Sequence, residues 1–172
     1  MAERADGGRW RKIALVTVPA IVLAGSASGW LSNAGYGNPW FAALLKPPFM
    51  PPAWTFPVAW TALYTLMAVS VAMVLAEPLG TLRRLGLSLF FVQLALNLAW
   101  SPIFFAGRDI RLASALLIVM LVVAVAAAAV FRRIRPVAGW LLLPYLLWLC
   151  FAWALNSSID RLNPGAGSSL IG

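Results

Sequence analysis

Uninterrupted apolar segments dominate the pattern of hydrophobic and polar positions along the chain. Five of them, each about 20 residues long, contain no Asp, Glu, Lys or Arg, and short polar or charged stretches separate them. An α-helix of about 20 residues crosses the hydrocarbon core of a membrane, whereas the strands of a membrane barrel are shorter and alternate in polarity. The pattern therefore predicts an all-α integral membrane protein, a bundle of five transmembrane helices. The predicted spans are residues 13–31, 54–76, 85–105, 112–131 and 137–155.

The connections between these segments predict one compact transmembrane domain, residues 13–156. The last four segments are joined by a few residues each, which leaves no room for a soluble domain. A basic tail, residues 1–12, comes before the domain, and a tail that we expect to be flexible, residues 157–172, follows it. The first loop (residues 33–52) is unusually long for so small a bundle. Its prolines and aromatic residues predict an ordered apolar lid.

Charge adds an orientation to this picture. The chain has 172 residues, of which 62% are hydrophobic and 10% charged, and its net charge is +8. The basic residues lie at segment ends and form no single surface, so we expect no nucleic-acid partner. With five spans, nine basic residues share the side of the N-terminus and four lie opposite, which predicts a cytoplasmic N-terminus in a bacterial inner membrane. The nine are Arg4, Arg9, Arg11, Lys12, Arg83, Arg84, Arg132, Arg133 and Arg135, and the four are Lys46, Arg108, Arg111 and Arg161.

The first segment has a second interpretation. Its basic start, its apolar run and the small residues at positions 24–29 also match a cleavable signal peptide. Gly25 and Gly29, one helical turn apart, equally suit close helix packing within the chain or in a homodimer. The single cysteine, Cys150, lies inside an apolar run and indicates a packing residue, so no disulfide framework is predicted.

The apolar segments lack the groups that most membrane enzymes, pumps and proton-coupled transporters use. The sequence has no His, and its five acidic residues fall at segment ends or in the tails. A catalytic triad, a carboxylate dyad and a histidine metal site are therefore excluded, and we predict neither a catalytic residue nor a metal site. A bound porphyrin would have no histidine ligand, so its ring face would be recognised instead.

Aromatic and amide side chains form stripes on three of the predicted helices. Each stripe alone matches ordinary helix packing or interfacial anchoring. An amide in lipid is unfavourable unless it finds a partner, so the amides are expected to face inward, and nine Trp residues in so short a chain favour an aromatic cavity. The stripes are Trp60 and Tyr64 on the second helix, Gln93, Asn97, Trp100 and Phe104 on the third, and Tyr145, Trp148, Ala152 and Asn156 on the fifth.

Three long strings, in the first loop and in the second, third and fifth helices, carry a family resemblance. The strings are WFAALLKPPFMPPAWTFPVAWTALY (residues 40–64), QLALNLAWSPIFFAGRD (93–109) and PYLLWLCFAWALN (144–156). With them the chain resembles the translocator protein or tryptophan-rich sensory protein (TspO/MBR) family, with matching helix count and spacing over about residues 13–163. The resemblance implies a five-helix bundle, commonly a homodimer, with a loop-capped pocket for porphyrins, haem-pathway intermediates and benzodiazepine-type ligands.

Carried over position by position, the resemblance implies a set of ligand-binding residues. No cofactor is required, and porphyrin or haem is expected as ligand. Four residues would belong to the lid and seven would line the cavity. The lid residues are Trp40, Phe41, Leu45 and Pro47, and the cavity residues are Trp60, Tyr64, Asn97, Trp100, Phe104, Trp148 and Ala152.

Two departures from the family pattern narrow the expected ligands. Family members often have Tyr where this chain has Phe41, so a hydroxyl contact is lost there. The family's proposed cholesterol motif lacks its tyrosine, since residues 155–161 read LNSSIDR. Such motifs are weak even when intact, so porphyrin is the better expectation than sterol.

Three functional hypotheses remain open at the level of sequence. The first is a membrane receptor or carrier that senses, sequesters or transports tetrapyrroles. The second is an enzyme-like, light-dependent breakdown of bound porphyrin next to Trp60 and Trp148. The third is binding of cholesterol or other lipid together with regulation of a partner protein.

Overall fold

Five long helices make up the bundle in the structure, a computed structural model that describes the backbone of residues 3–167 and the side chains of residues 8–167. Each of the five is long and apolar enough to cross a membrane, so the predicted all-α membrane fold is confirmed. Two short helices and one π-helical turn, Pro102–Ala106, complete the described part of the chain. The long helices are α1 (Glu3–Leu31), α3 (Thr55–Ala76), α4 (Thr81–Ser101), α5 (Ile110–Ile134) and α7 (Leu143–Leu162), and the short ones are α2 (Pro39–Ala43) and α6 (Pro136–Trp140).

Helix α1 begins earlier than predicted. It starts at Glu3 instead of residue 13, because the Arg and Lys residues in the segment before residue 13 are good helix formers and that segment contains no proline. Most of the predicted N-terminal tail is therefore helical, while residues 1–2 lie outside the described part of the chain.

The fifth predicted span also differs from the structure. It is divided into α6 and α7, because Pro144 has no N–H to donate to the carbonyl of Trp140. Helix α7 continues to Leu162, seven residues past the predicted end, so the first part of the expected flexible tail is helical. Residues 168–172 of that tail lie outside the described residues.

The helices pack in a closed arrangement that leaves space at one end. Helix α1 packs along α3, α4 along α5 and α5 along α7, while α6 lies against α5 and α3. Apolar side chains such as Met67, Phe90 and Phe131 fill the middle of the bundle and the end away from the first loop. At that end Arg135 pairs with Glu77, with 3.4 Å between Nη1 and Oε1.

A second apolar cluster attaches the first loop to the bundle. Phe41 and Leu44 of the loop pack with Phe104 and Phe105 of the π-helical turn and with Ile110 at the start of α5. The turn begins at Pro102, and its last bond runs from the Gly107 N–H to the Pro102 carbonyl at 2.8 Å. A π-helical turn shifts the side-chain directions of a helix, and here both phenylalanines are buried against the loop.

The predicted orientation can be tested by cysteine labelling. In a Cys150→Ala background, Gly37→Cys and Arg84→Cys would each place a thiol at an exposed position. Gly37 is chosen over its neighbour Asn38 because Asn38 is buried and would be labelled poorly. With the N-terminus in the cytoplasm, a membrane-impermeant maleimide should label position 37 in intact cells and position 84 only after permeabilisation. The reverse pattern would overturn the orientation and leave the fold unchanged.

Candidate functional site

A cavity of about 650 Å³ lies between α1, α3, α4, α5 and α7 at the end of the bundle that carries the first loop. This volume is within the usual range for small-molecule sites. The side chains that line it, among the described residues, are aromatic, aliphatic or neutral polar, and none is charged. Eight of the eleven predicted site residues line it: Phe41, Trp60, Tyr64, Asn97, Trp100, Phe104, Trp148 and Ala152.

Packed rings form the walls of this cavity. Trp60 stacks on Tyr64 with 5.1 Å between ring centroids, and Trp148 meets Trp60 edge to face at 6.2 Å. On α4 and the π-helical turn that follows it, Trp100 stacks on Phe104 at 5.0 Å with an angle of 14° between the rings. Aromatic pairs at these distances attract one another, so the rings form packed apolar walls.

Asn97 is the polar centre of the cavity. Its Oδ1 accepts a hydrogen bond from the Tyr64 hydroxyl at 2.8 Å, and its Nδ2 donates to the Tyr145 hydroxyl at 3.1 Å. The amide is buried, and an amide has two donor hydrogens and two acceptor lone pairs. Asn97 can therefore hold both tyrosines and still offer one donor and one acceptor to a ligand.

Gln93, one turn before Asn97 on α4, has a different environment. Both amides are buried, as the sequence predicted, but Gln93 does not line the cavity. Neither polar atom of its side chain has a hydrogen-bond partner among the described residues. The two amides of this stripe therefore serve as an internal comparison, since only Asn97 belongs to the cavity.

The first loop is ordered by its own sequence. Asn38 caps the short helix α2, accepting hydrogen bonds from the N–H groups of Trp40 at 3.0 Å and Phe41 at 3.2 Å. Pro39 follows at the first helical position, where its missing N–H is not needed. The Asn38 amide also donates to the carbonyl of Phe105 at 3.3 Å, which ties the loop to the π-helical turn.

Lys46 closes the other end of α2. Its ammonium donates to the carbonyls of Phe41 and Leu44, each at 2.8 Å, and to that of Ala42 at 3.1 Å. It also lies 4.9 Å from the centroid of the Phe41 ring. Desolvation by burial lowers the pKa of Lys46. A positive charge at the carboxyl end of a helix is favourable, so Lys46 stabilises the lid.

The C-terminal segment holds the lid from outside. The Trp40 indole Nε1 donates to the carbonyl of Ala166 at 2.9 Å. The side chain of Asn163 accepts from the Leu45 N–H and donates to the Leu45 carbonyl, both at 2.8 Å. Sequence reasoning missed Asn163 and Ala166, because no local pattern marks contacts between residues so far apart in the chain.

Three predicted lid residues lie outside the cavity lining. Trp40 does not line the cavity, and its ring packs against the lining residue Phe104 with 5.5 Å between the ring centroids. The Leu45 side chain is 63% exposed, and Pro47 is buried in the loop itself. These residues can shape the lid without touching a ligand, and Phe41 is the one predicted lid residue on the cavity wall.

These features define a class: an integral membrane protein whose helices enclose a ligand-sized aromatic cavity under an ordered loop. Within that class, the chain belongs to the TspO/MBR family, whose model matches residues 16–162. This confirms the resemblance stated from the sequence.

Relatives from bacteria and mammals match most of the chain. It is 41% identical over 129 residues to Protein CrtK of Rhodobacter capsulatus, covering 73% of this chain and 79% of that protein. It is 39% identical over 155 residues to the translocator protein of Sus scrofa, covering 86% and 92%. It is 39% identical over 124 residues to the tryptophan-rich sensory protein of Cereibacter sphaeroides, covering 72% and 77%.

Proposed function

We propose that this protein is a membrane receptor or carrier that binds porphyrins and related tetrapyrroles in the aromatic cavity. The observation that carries the proposal is the cavity itself, about 650 Å³ in volume, with stacked rings on its walls and the uncharged amides of Asn97 and Asn156 among its lining side chains. Planar apolar ligands gain most from such walls, because ring faces bury large areas with little loss of side-chain freedom. Benzodiazepine-type ligands have the same planar character and are expected to compete.

Recognition would act on the ring face and not on a central metal. The sequence contains no His, so a haem bound here would have no histidine ligand. A ligand carbonyl or ring N–H could hydrogen-bond to the remaining donor or acceptor of Asn97. Porphyrin or haem is thus a ligand and not a required cofactor, and sensing, sequestration and transport are the roles such binding supports. We also propose a homodimer in a bacterial membrane.

The decisive experiment is a titration of the purified protein with protoporphyrin IX and with haem, following tryptophan fluorescence. We expect saturable quenching, because Trp60, Trp100 and Trp148 line the cavity. Trp148→Phe should remove part of the quenching, whereas Trp153→Phe should not, since Trp153 is exposed on the outside of α7. Quenching that does not saturate, or that matches the signal from empty detergent micelles, would overturn the proposal.

The same titration can separate binding from breakdown. Trp60 and Trp148 meet at 6.2 Å and would flank a bound photosensitiser, so light-dependent loss of porphyrin is the alternative activity. Porphyrin absorbance that falls steadily under illumination, but not in Trp60→Phe or Trp148→Phe, would favour an enzyme-like role. Stable absorbance with saturable quenching would favour a receptor or carrier.

A further inference from the structure

Gly25 of α1 lies against the ring of Tyr64. A Cβ atom added at Gly25 would be 2.1 Å from Cε2 and 2.3 Å from Cζ of that ring. Both atoms are carbons of a rigid ring, and no real Cβ contact is so short. The Tyr64 ring therefore occupies the space that any other residue at position 25 would fill.

Tyr64 has no room to move away without changing the cavity. One side of it meets the backbone of α1 at Gly25, while its ring stacks on Trp60 at 5.1 Å. Its hydroxyl donates to Asn97 at 2.8 Å. A shift of the ring would break this bond or disturb the stack, and both belong to the cavity wall.

We propose that Gly25 is a positioning residue for the ligand cavity, because it lets Tyr64 hold the amide of Asn97 in its binding orientation. This inference rests on the proposed function. It also gives Gly25 a role within one chain, so this glycine is not available for the alternative of helix packing in a homodimer. Gly25 on α1 would therefore influence ligand affinity through Tyr64, which orients the Asn97 amide on α4.

Gly8 supplies a matched control on the same helix, because it does not line the cavity. A Cβ there would have no described neighbour within 4 Å outside the helix's own backbone. Both Gly→Ala changes raise helix propensity by a similar amount, about 1 kcal/mol, so a difference between them reports the local contact. We expect Gly25→Ala to weaken protoporphyrin IX binding about fivefold and Gly8→Ala to change it less than about twofold.

A double-mutant cycle tests whether Gly25 acts through Tyr64. In a Tyr64→Ala background the ring is absent, so adding Gly25→Ala should have little further effect on the dissociation constant. If Gly25→Ala alone fails to fold, the Gly25→Ala/Tyr64→Ala double variant should fold, as judged by far-UV circular dichroism and gel filtration in detergent. Equal affinity of Gly25→Ala and the wild type, or additive effects in the cycle, would overturn the inference.

A readout without ligand keeps the two proposals separate. Near-UV circular dichroism reports the packing of aromatic rings, and we expect Gly25→Ala, but not Gly8→Ala, to change the tyrosine band. If the wild type does not bind protoporphyrin IX, the proposed function fails while this measurement still tests the position of Tyr64. If the wild type binds and the spectrum of Gly25→Ala is unchanged, the positioning role fails alone.

Discussion

Asn97→Leu is expected to weaken protoporphyrin IX binding by about 5- to 150-fold, which corresponds to about 1–3 kcal/mol. The substitution removes the group that accepts from Tyr64 and donates to Tyr145. Two buried hydroxyls then lose their partner, and the ligand loses the cavity amide that the two tyrosines hold in place. The dissociation constant from the fluorescence titration measures the effect, with far-UV circular dichroism to confirm the fold.

Gln93→Leu is the matched control for this prediction. Gln93 lies one turn away on the same helix, is buried and has no hydrogen-bond partner among the described residues. Replacing an unpaired buried amide by an apolar group of similar size should leave affinity unchanged and keep or raise stability. Similar losses of affinity in the two variants would show that any polar change in α4 disturbs the bundle, and unchanged affinity in Asn97→Leu would remove Asn97 from the site.

Trp40→Ala is expected to raise the rate of porphyrin dissociation tenfold or more, equivalent to a loss of at least about 1.4 kcal/mol. In the structure Trp40 does not line the cavity but connects the first loop to the C-terminal segment and to Phe104. Its Nε1 donates to the Ala166 carbonyl at 2.9 Å, and its ring lies 5.5 Å from that of Phe104. Losing both contacts should let the lid open more often, with little change in the association rate. Stopped-flow fluorescence measures both rates.

Two further variants separate the contacts that hold the first loop in place. Trp40→Phe keeps an aromatic ring against Phe104 but removes the donor to Ala166, so it should show an intermediate dissociation rate. Asn163→Ala removes both bonds to Leu45 and leaves the Trp40 contacts in place. An increase in each variant would show that the C-terminal segment holds the lid closed. An unchanged rate in Trp40→Ala would mean that the first loop is only a connector and that the cavity opens elsewhere.

We expect Asn97 to affect mainly the equilibrium affinity for the ligand and Trp40 to affect mainly the dissociation rate. Asn97 contacts the ligand space directly, so its loss should appear at equilibrium. Trp40 lies outside the lining, so its loss should appear mainly in the time a ligand stays bound. Measuring the association and dissociation rates of Asn97→Leu and Trp40→Ala would therefore test whether each residue lies inside or outside the cavity lining.

The sequence determined the membrane fold, the absence of charged groups from the predicted spans and eight of the residues that line the cavity. Length and apolar composition fix a transmembrane helix locally. Spacing of three or four residues places Asn97, Trp100 and Phe104 on one face, and the structure brings all three to the cavity. The family strings added the expected ligand, which the proposed titration tests.

Tertiary structure decided the features that depend on contacts between distant parts of the chain. One of them is the hydrogen bond between Trp40 and Ala166, which are 126 residues apart. No hydrophobic period or helix-cap signal in the sequence encodes such a bond. The environments of Gln93 and Asn97 differ because Tyr64 and Tyr145 reach only one of them. The role of Gly25 likewise follows from the ring that α3 places against it. Local propensity fixes which segments are helices, but partners and close contacts are set only when the helices pack.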